Sequence, residues 1–203
     1  DGMDEISITG PTFVAFTTNA LDDKTNVYPT KNFNEEIIIK ADQKAIDKAA
    51  ELLVDSNNIG ILIGDRLVQI NNPYIPTKLA ELLGAKVYSS NYSEMIFPNK
   101  HPNYISNLKL GFNSSNEFDE FDTILVIGGL PRISYMFSNP RMRIFNPNSK
   151  LIHVDNDPSQ VGTTEKTEIG IISDPSEALI SITKKVEELL DGKQIEFFAE
   201  KNL

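Results

Sequence analysis

Short apolar runs recur along the chain, each closed by glycine or a polar residue. IGILIG (59–64), the TILVIG of FDTILVIGG (121–129) and LIHVD (151–155) have no polar alternation across most of their length. Such runs predict strands buried on both faces. AKVYSS (85–90) and EIGIIS (168–173) predict two shorter strands, and TFVAFT (12–17) a short β-rich segment.

Between these runs the apolar spacing changes to that of helices. From Asp42 as N-cap, Ile46, Ala49, Ala50, Leu53 and Val54 fall on one helical face. PTKLAELLG (76–84) predicts a second helix closed by Gly84 at C′. In the third, Ser173 or Asp174 is the cap and Pro175 suits N1. Ala178, Leu179, Ile182, Val186, Leu189 and Leu190 are its apolar face, and Gly192 its stop. Buried strands alternating with helices predict an α/β domain: an open, doubly wound, mostly parallel sheet with helices on both faces. Thr18–Asn34 is polar and reads as a linker.

Composition narrows the function classes. A net charge of −10 without a Lys/Arg run argues against nucleic acid as partner. No apolar run approaches the roughly 20 residues that span a bilayer, and DGMDEISITG lacks the pattern of a secretory signal, so a soluble, cytoplasmic protein is expected. The absence of Cys removes disulfides, thiolate metal sites and a Cys nucleophile.

In an open parallel sheet, ligands bind at the carboxyl ends of the strands. Gly64-Asp65-Arg66, Gly128-Gly129, Asp155-Asn156-Asp157 and Ser173-Asp174 lie there. The glycines either admit a phosphate or only turn the chain; neither GDRL nor GGLP has the GxGxxG spacing, and GDRLVQ is no Walker A loop. Asp155 either accepts ribose hydroxyls or serves structure, and Asp157, before Pro158, reads as a cap. His153 reads as a satisfied packing residue. His101 sits in a loop without partners spaced as a triad, and Tyr135, Met136 and Phe137 form either an apolar wall or core.

GPTFVAFTTNAL, AELLVDSNNIGILIGDRL, KLAELLGAKVYSS, IFPNKHPNY, FDTILVIGG, KLIHVDNDPSQVG and IISDPSEAL, in this order over roughly residues 10–190, resemble the central domain of thiamine diphosphate-dependent enzymes. That family includes acetolactate synthase, pyruvate oxidase and benzoylformate decarboxylase. FPNKHPNYISNLKLGF and GGLPRISYMFSNP look most like the benzoylformate decarboxylase branch.

The resemblance implies a Rossmann-like domain of the DHS-like NAD/FAD-binding kind. It implies the tail of a pyrimidine-binding domain at 1–17, a linker at 18–41, the central domain at 42–192, and at 193–203 the start of a linker to a diphosphate-binding domain. Thiamine diphosphate and Mg2+ belong to those other domains, and the chain contains no Gly-Asp-Gly motif that would hold them. The parent enzyme would be a homo-oligomer, dimer or tetramer, acting on 2-oxo acids as a decarboxylase or a carboligase, and this piece alone would be inactive. In the flavin-binding branch, Gly64, Asp65, Gly128, Gly129, Asp155 and Asp174 occupy the positions that hold FAD or ADP. The GGLPRIS loop departs from that branch's pattern. The rival reading is a separate nucleotide-binding module.

Overall fold

In a computed structural model, the structure describes residues 13–22, 24–26, 28, 38–67, 72, 74–90, 97–108, 117–130 and 144–202. They divide into two units, Asp1–Ile38 and Ile39–Leu203. In the first, residues 13–17 are irregular rather than the expected strand, and Thr18–Asp22 forms helix α1.

The second unit is built on six strands: β1 Ile59–Ile63, β2 Lys86–Ser89, β3 Tyr104–Asn107, β4 Thr123–Ile127, β5 Lys150–Asp155 and β6 Ile169–Ile172. They form one parallel sheet in the order β3-β2-β1-β4-β5-β6. Every residue of β1 and β4 is buried, as their unbroken apolar runs require. The edge strands β3 and β6 are only partly covered. Strand β3 carries only a weak signal in the sequence, because its apolar residues alternate with polar ones over just four positions.

One face of the sheet carries helices α2 Gln43–Val54, α3 Tyr74–Leu82 and α4 Pro175–Leu189. Ile46, Leu53, Leu79, Ile182 and Val186 from these helices join Ile61, Ile63, Leu125 and Val154 from the sheet in one core. Each such side chain contributes roughly 1.5–3 kcal/mol by leaving water. Leu62, Ile124, Val126 and Leu151 face the other way, into a second core with Tyr88, Phe118, Phe121 and Phe145.

Caps define the helix ends. Asp42 accepts from the Lys44 N–H at the start of α2. Asp174 Oδ1 accepts from the Ser176 and Glu177 N–H groups (2.9 and 3.0 Å), with Pro175 opening α4. Helix α3 starts at Tyr74, two residues ahead of the expected Pro76, because proline is tolerated in a first turn. Gly84, at φ +53°, turns the chain into β2 as predicted.

Gly192 does not end the helical region. Helix α4 stops at Leu189, and Gly192 is the first residue of α5, Gly192–Ala199, under a capping box of Asp191 and Gln194. Residues 193–203, read from sequence as the start of a linker, therefore carry a helix whose Phe198 is buried in the main core. A polar clasp holds this end of the chain. Asn103 Nδ2 donates to Ala85 O (2.9 Å) and Asn202 Oδ1 (2.7 Å), and Asn202 Nδ2 donates to Glu81 O (2.8 Å). Among the described residues, no helix is long and apolar enough to cross a membrane.

Candidate functional site: the crevice at the strand switch point

Strand β1 continues to β2 on one side and pairs with β4 on the other, so the chain leaves β1 and β4 toward opposite edges of the sheet. Between the loops that follow these two strands opens a crevice of about 360 Å³, lined by Asp65, Arg66, Ser90, Gly128, Gly129, Leu130 and Gln160. Of the strand-end residues expected to hold a ligand, Asp65, Gly128 and Gly129 line this crevice, while Gly64 does not.

The glycines bring the two loops together. Gly64 N–H donates to Ile127 O (2.9 Å), and Arg66 N–H donates to Gly128 O (2.9 Å). A Cβ on Gly64 would stand 2.5 Å from Gly128 O and 2.6 Å from Gly129 O, closer than any side chain can approach. Gly128 and Gly129 hold φ of +78° and +132°. These requirements come from the loop–loop contact itself.

The chemistry of the site centres on Arg66, which the sequence places at the strand end, next to exposed Asp65, without a ligand role. A 3-10 turn, Asp65–Leu67, aims its side chain across β4 to the end of β5. There Arg66 Nη1 lies 2.9 Å from Asp155 Oδ2, and Nη2 lies 4.0 Å from Asp157 Oδ2. The Asp155 side chain is fully buried while that of Arg66 is 31% exposed. Burial pushes the Asp155 carboxyl above its usual range, against the opposing pull of the Asp157 N–H and Arg66.

Asp157 acts as its sequence position predicts. Oδ1 accepts from Ser159 N–H (2.8 Å) and Oδ2 from Gln160 Nε2 (3.0 Å), closing the turn after Pro158. Partial desolvation raises its pKa, but the Gln160 and Ser159 hydrogen bonds outweigh it and the carboxyl is lowered overall. Asp174 is not among the residues lining the crevice; its carboxylate caps α4.

Strand alternation puts His153 on the same face as Leu151 and Asp155. It is fully buried, and among the described residues neither ring nitrogen has a hydrogen-bond partner, unlike the satisfied histidine expected. Burial, with Arg66 nearby, lowers its pKa to about 4. His101 is structural. Its Nε2 lies 3.1 Å from Glu81 Oε1, its Nδ1 accepts from Asn103 N–H (3.3 Å), and its ring meets Phe97 edge-on. Tyr135, Met136 and Phe137 lie outside the described residues.

Thiamine diphosphate, implied by the resemblance, finds no fitting residues here. The sequence has no Gly-Asp-Gly, and no group of three or more His, Asp or Glu able to hold its metal ion occurs among the described residues. The crevice instead presents Arg66 salt-bridged to a buried acid.

Comparison with known proteins agrees with this fold. The chain is 29% identical over 136 residues to the protein named probable acetolactate synthase large subunit of Methanocaldococcus jannaschii, covering 66% of this chain and 22% of that one. It is 28% identical over 150 residues to sulfoacetaldehyde acetyltransferase of Roseovarius nubinhibens, covering 71% and 24% respectively. The chain thus spans about a quarter or less of the curated relatives it matches. Benzoylformate decarboxylase from Polynucleobacter necessarius superposes with a TM-score of 0.65 at 22% identity, over 82% of this chain and 32% of that structure, a likeness of fold. The sequence model described as "Thiamine pyrophosphate enzyme, central domain" matches residues 46–182, more than half of the chain. The chain belongs to the thiamine pyrophosphate enzyme central-domain family.

Proposed function

We propose that this chain serves as the central domain, inactive alone, of a cytoplasmic, homo-oligomeric enzyme that uses thiamine diphosphate and Mg2+ to act on 2-oxo acids. The reaction proposed is non-oxidative decarboxylation of the benzoylformate decarboxylase kind. The family match over residues 46–182 is the observation that carries this reading. When bound, the cofactor supplies the carbanion chemistry that side chains lack. The pyrimidine-binding and diphosphate-binding domains would hold it, and this domain would space them and support subunit contacts. A domain held by two apolar cores and clasped at its C-terminal end suits that task.

Calorimetry tests the division of labour. Titrating the 203-residue chain with thiamine diphosphate and Mg2+ is expected to give no heat of binding, and clear micromolar binding would overturn the reading. With the flanking domains in place, the protein is expected to release CO2 and benzaldehyde from benzoylformate. Formation of acetolactate from pyruvate instead would reassign it to the carboligases.

A further inference from the structure

We propose that Arg66 decides what the switch-point crevice accepts: its guanidinium takes the place of a ribose diol on Asp155 and excludes adenine nucleotides and dinucleotides. An acid at a strand's end in such a crevice ordinarily accepts ribose hydroxyls. In this chain both oxygens of that acid are engaged. Asp155 Oδ1 accepts from the Asp157 N–H (2.8 Å), and Oδ2 accepts from Arg66 Nη1 (2.9 Å). With Asp155 wholly buried, the guanidinium covers its crevice side.

Two further requirements of a nucleotide site are used up locally. A phosphate approaches where glycine leaves backbone bare. The space beside Gly64 is filled by the Gly128 and Gly129 carbonyls, and that beside Gly128 by Leu67 N at 2.8 Å. A Cβ placed on Gly129 would lie 3.4 Å from Arg66 Nη1, so the guanidinium also shields this glycine. Pyrophosphate is further favoured by free positive charge, whereas among the described residues Arg66 is already paired with Asp155 and lies 4.0 Å from Asp157, and Asp65 adds a further carboxylate to the crevice lining. The inference concerns the crevice alone, so its failure leaves the 2-oxo acid reading untouched.

Titration of the chain with ADP, followed by calorimetry and thermal melting, tests the proposal, with FAD as a second probe. Wild type is expected to show no midpoint shift at millimolar ADP. Arg66→Ala, which bares Asp155, is expected to bind at least about tenfold more tightly. The double variant Arg66→Ala/Asp155→Asn should lose that gain, separating diol recognition from a merely enlarged cavity. Arg66→Gln, which keeps a donor near Asp155, is the substitute should the alanine variant not fold. The Arg66 Nε–H resonance of wild type, observed by NMR during ADP addition, requires no variant and is expected to stay unmoved. Tight ADP binding by wild type that Asp155→Asn abolishes would overturn the proposal. So would folded Arg66 variants no better than wild type, or a displaced Arg66 resonance.

Discussion

His153 shows what a buried titratable group costs when the strand around it provides no partner. Its pKa stands near 4 in the folded chain against about 6.5 unfolded, so the unfolded state binds the extra proton first. The contribution to stability is therefore intact above the unfolded pKa and is lost as the pH falls toward the folded one. Between about pH 7 and about pH 4.5 the loss amounts to roughly 2–3 kcal/mol. His153→Leu is expected to remove that increment, flattening the difference between urea midpoints at the two pH values. Equal pH dependence in variant and wild type would show that the imidazole finds a proton acceptor. Residue spacing places His153 in a strand but does not show that its nitrogens lack partners among the described residues, because a two-residue period fixes the face and not the neighbours. The same limit conceals the role of Arg66, which the sequence places at a strand end without its partner. Its partner Asp155 is 89 positions away, and only the order of strands brings the two together.

Among the elements, the helices were the more legible where apolar spacing and a cap coincide. Asp42, Pro175 and Gly84 each announce a boundary through local chemistry, and the structure keeps all three. Helix α5 escaped because Gly192 reads as a stop, whereas Asp191 and Gln194 close a capping box around it. This helix is part of the domain's stability. Phe198 is 1% exposed, and its carbonyl oxygen lies 2.6 Å from where a Cβ on Gly84 would stand. Phe198→Ala is expected to lower the unfolding free energy by about 3–5 kcal/mol in chemical denaturation, in line with other buried phenylalanines. A cost below about 1 kcal/mol would mark α5 as a loosely attached tail, since surface substitutions fall in that range.

At the scale of the whole molecule, the order of buried runs and helices was enough to give a parallel α/β sheet, since strands buried on both faces have few other arrangements. Register and strand order were not legible, nor was the aromatic core of Tyr88, Phe118, Phe121 and Phe145, whose members come from separate segments of the chain. The resemblance to a family domain needed only the succession of motifs, while the ligand question needed contacts across the sheet.

The strand order also governs how the polypeptide can acquire its shape during synthesis. The first three strands are complete by residue 107, but β1, at the centre of the sheet, pairs with β4 at 123–127. Until that stretch emerges, Ile59–Ile63 offers a fully apolar, unpaired edge, and α2 lacks the α4 surface on which it rests. A nascent chain in that condition is a template for intermolecular pairing and a client for chaperones. A chain stopped after Leu108 is expected to be insoluble when expressed, whereas the full 203 residues stay in solution; a soluble, monomeric truncation would show that the leading half folds independently. Synthesis thus has a vulnerable interval, set by the distance in sequence between the two central strands.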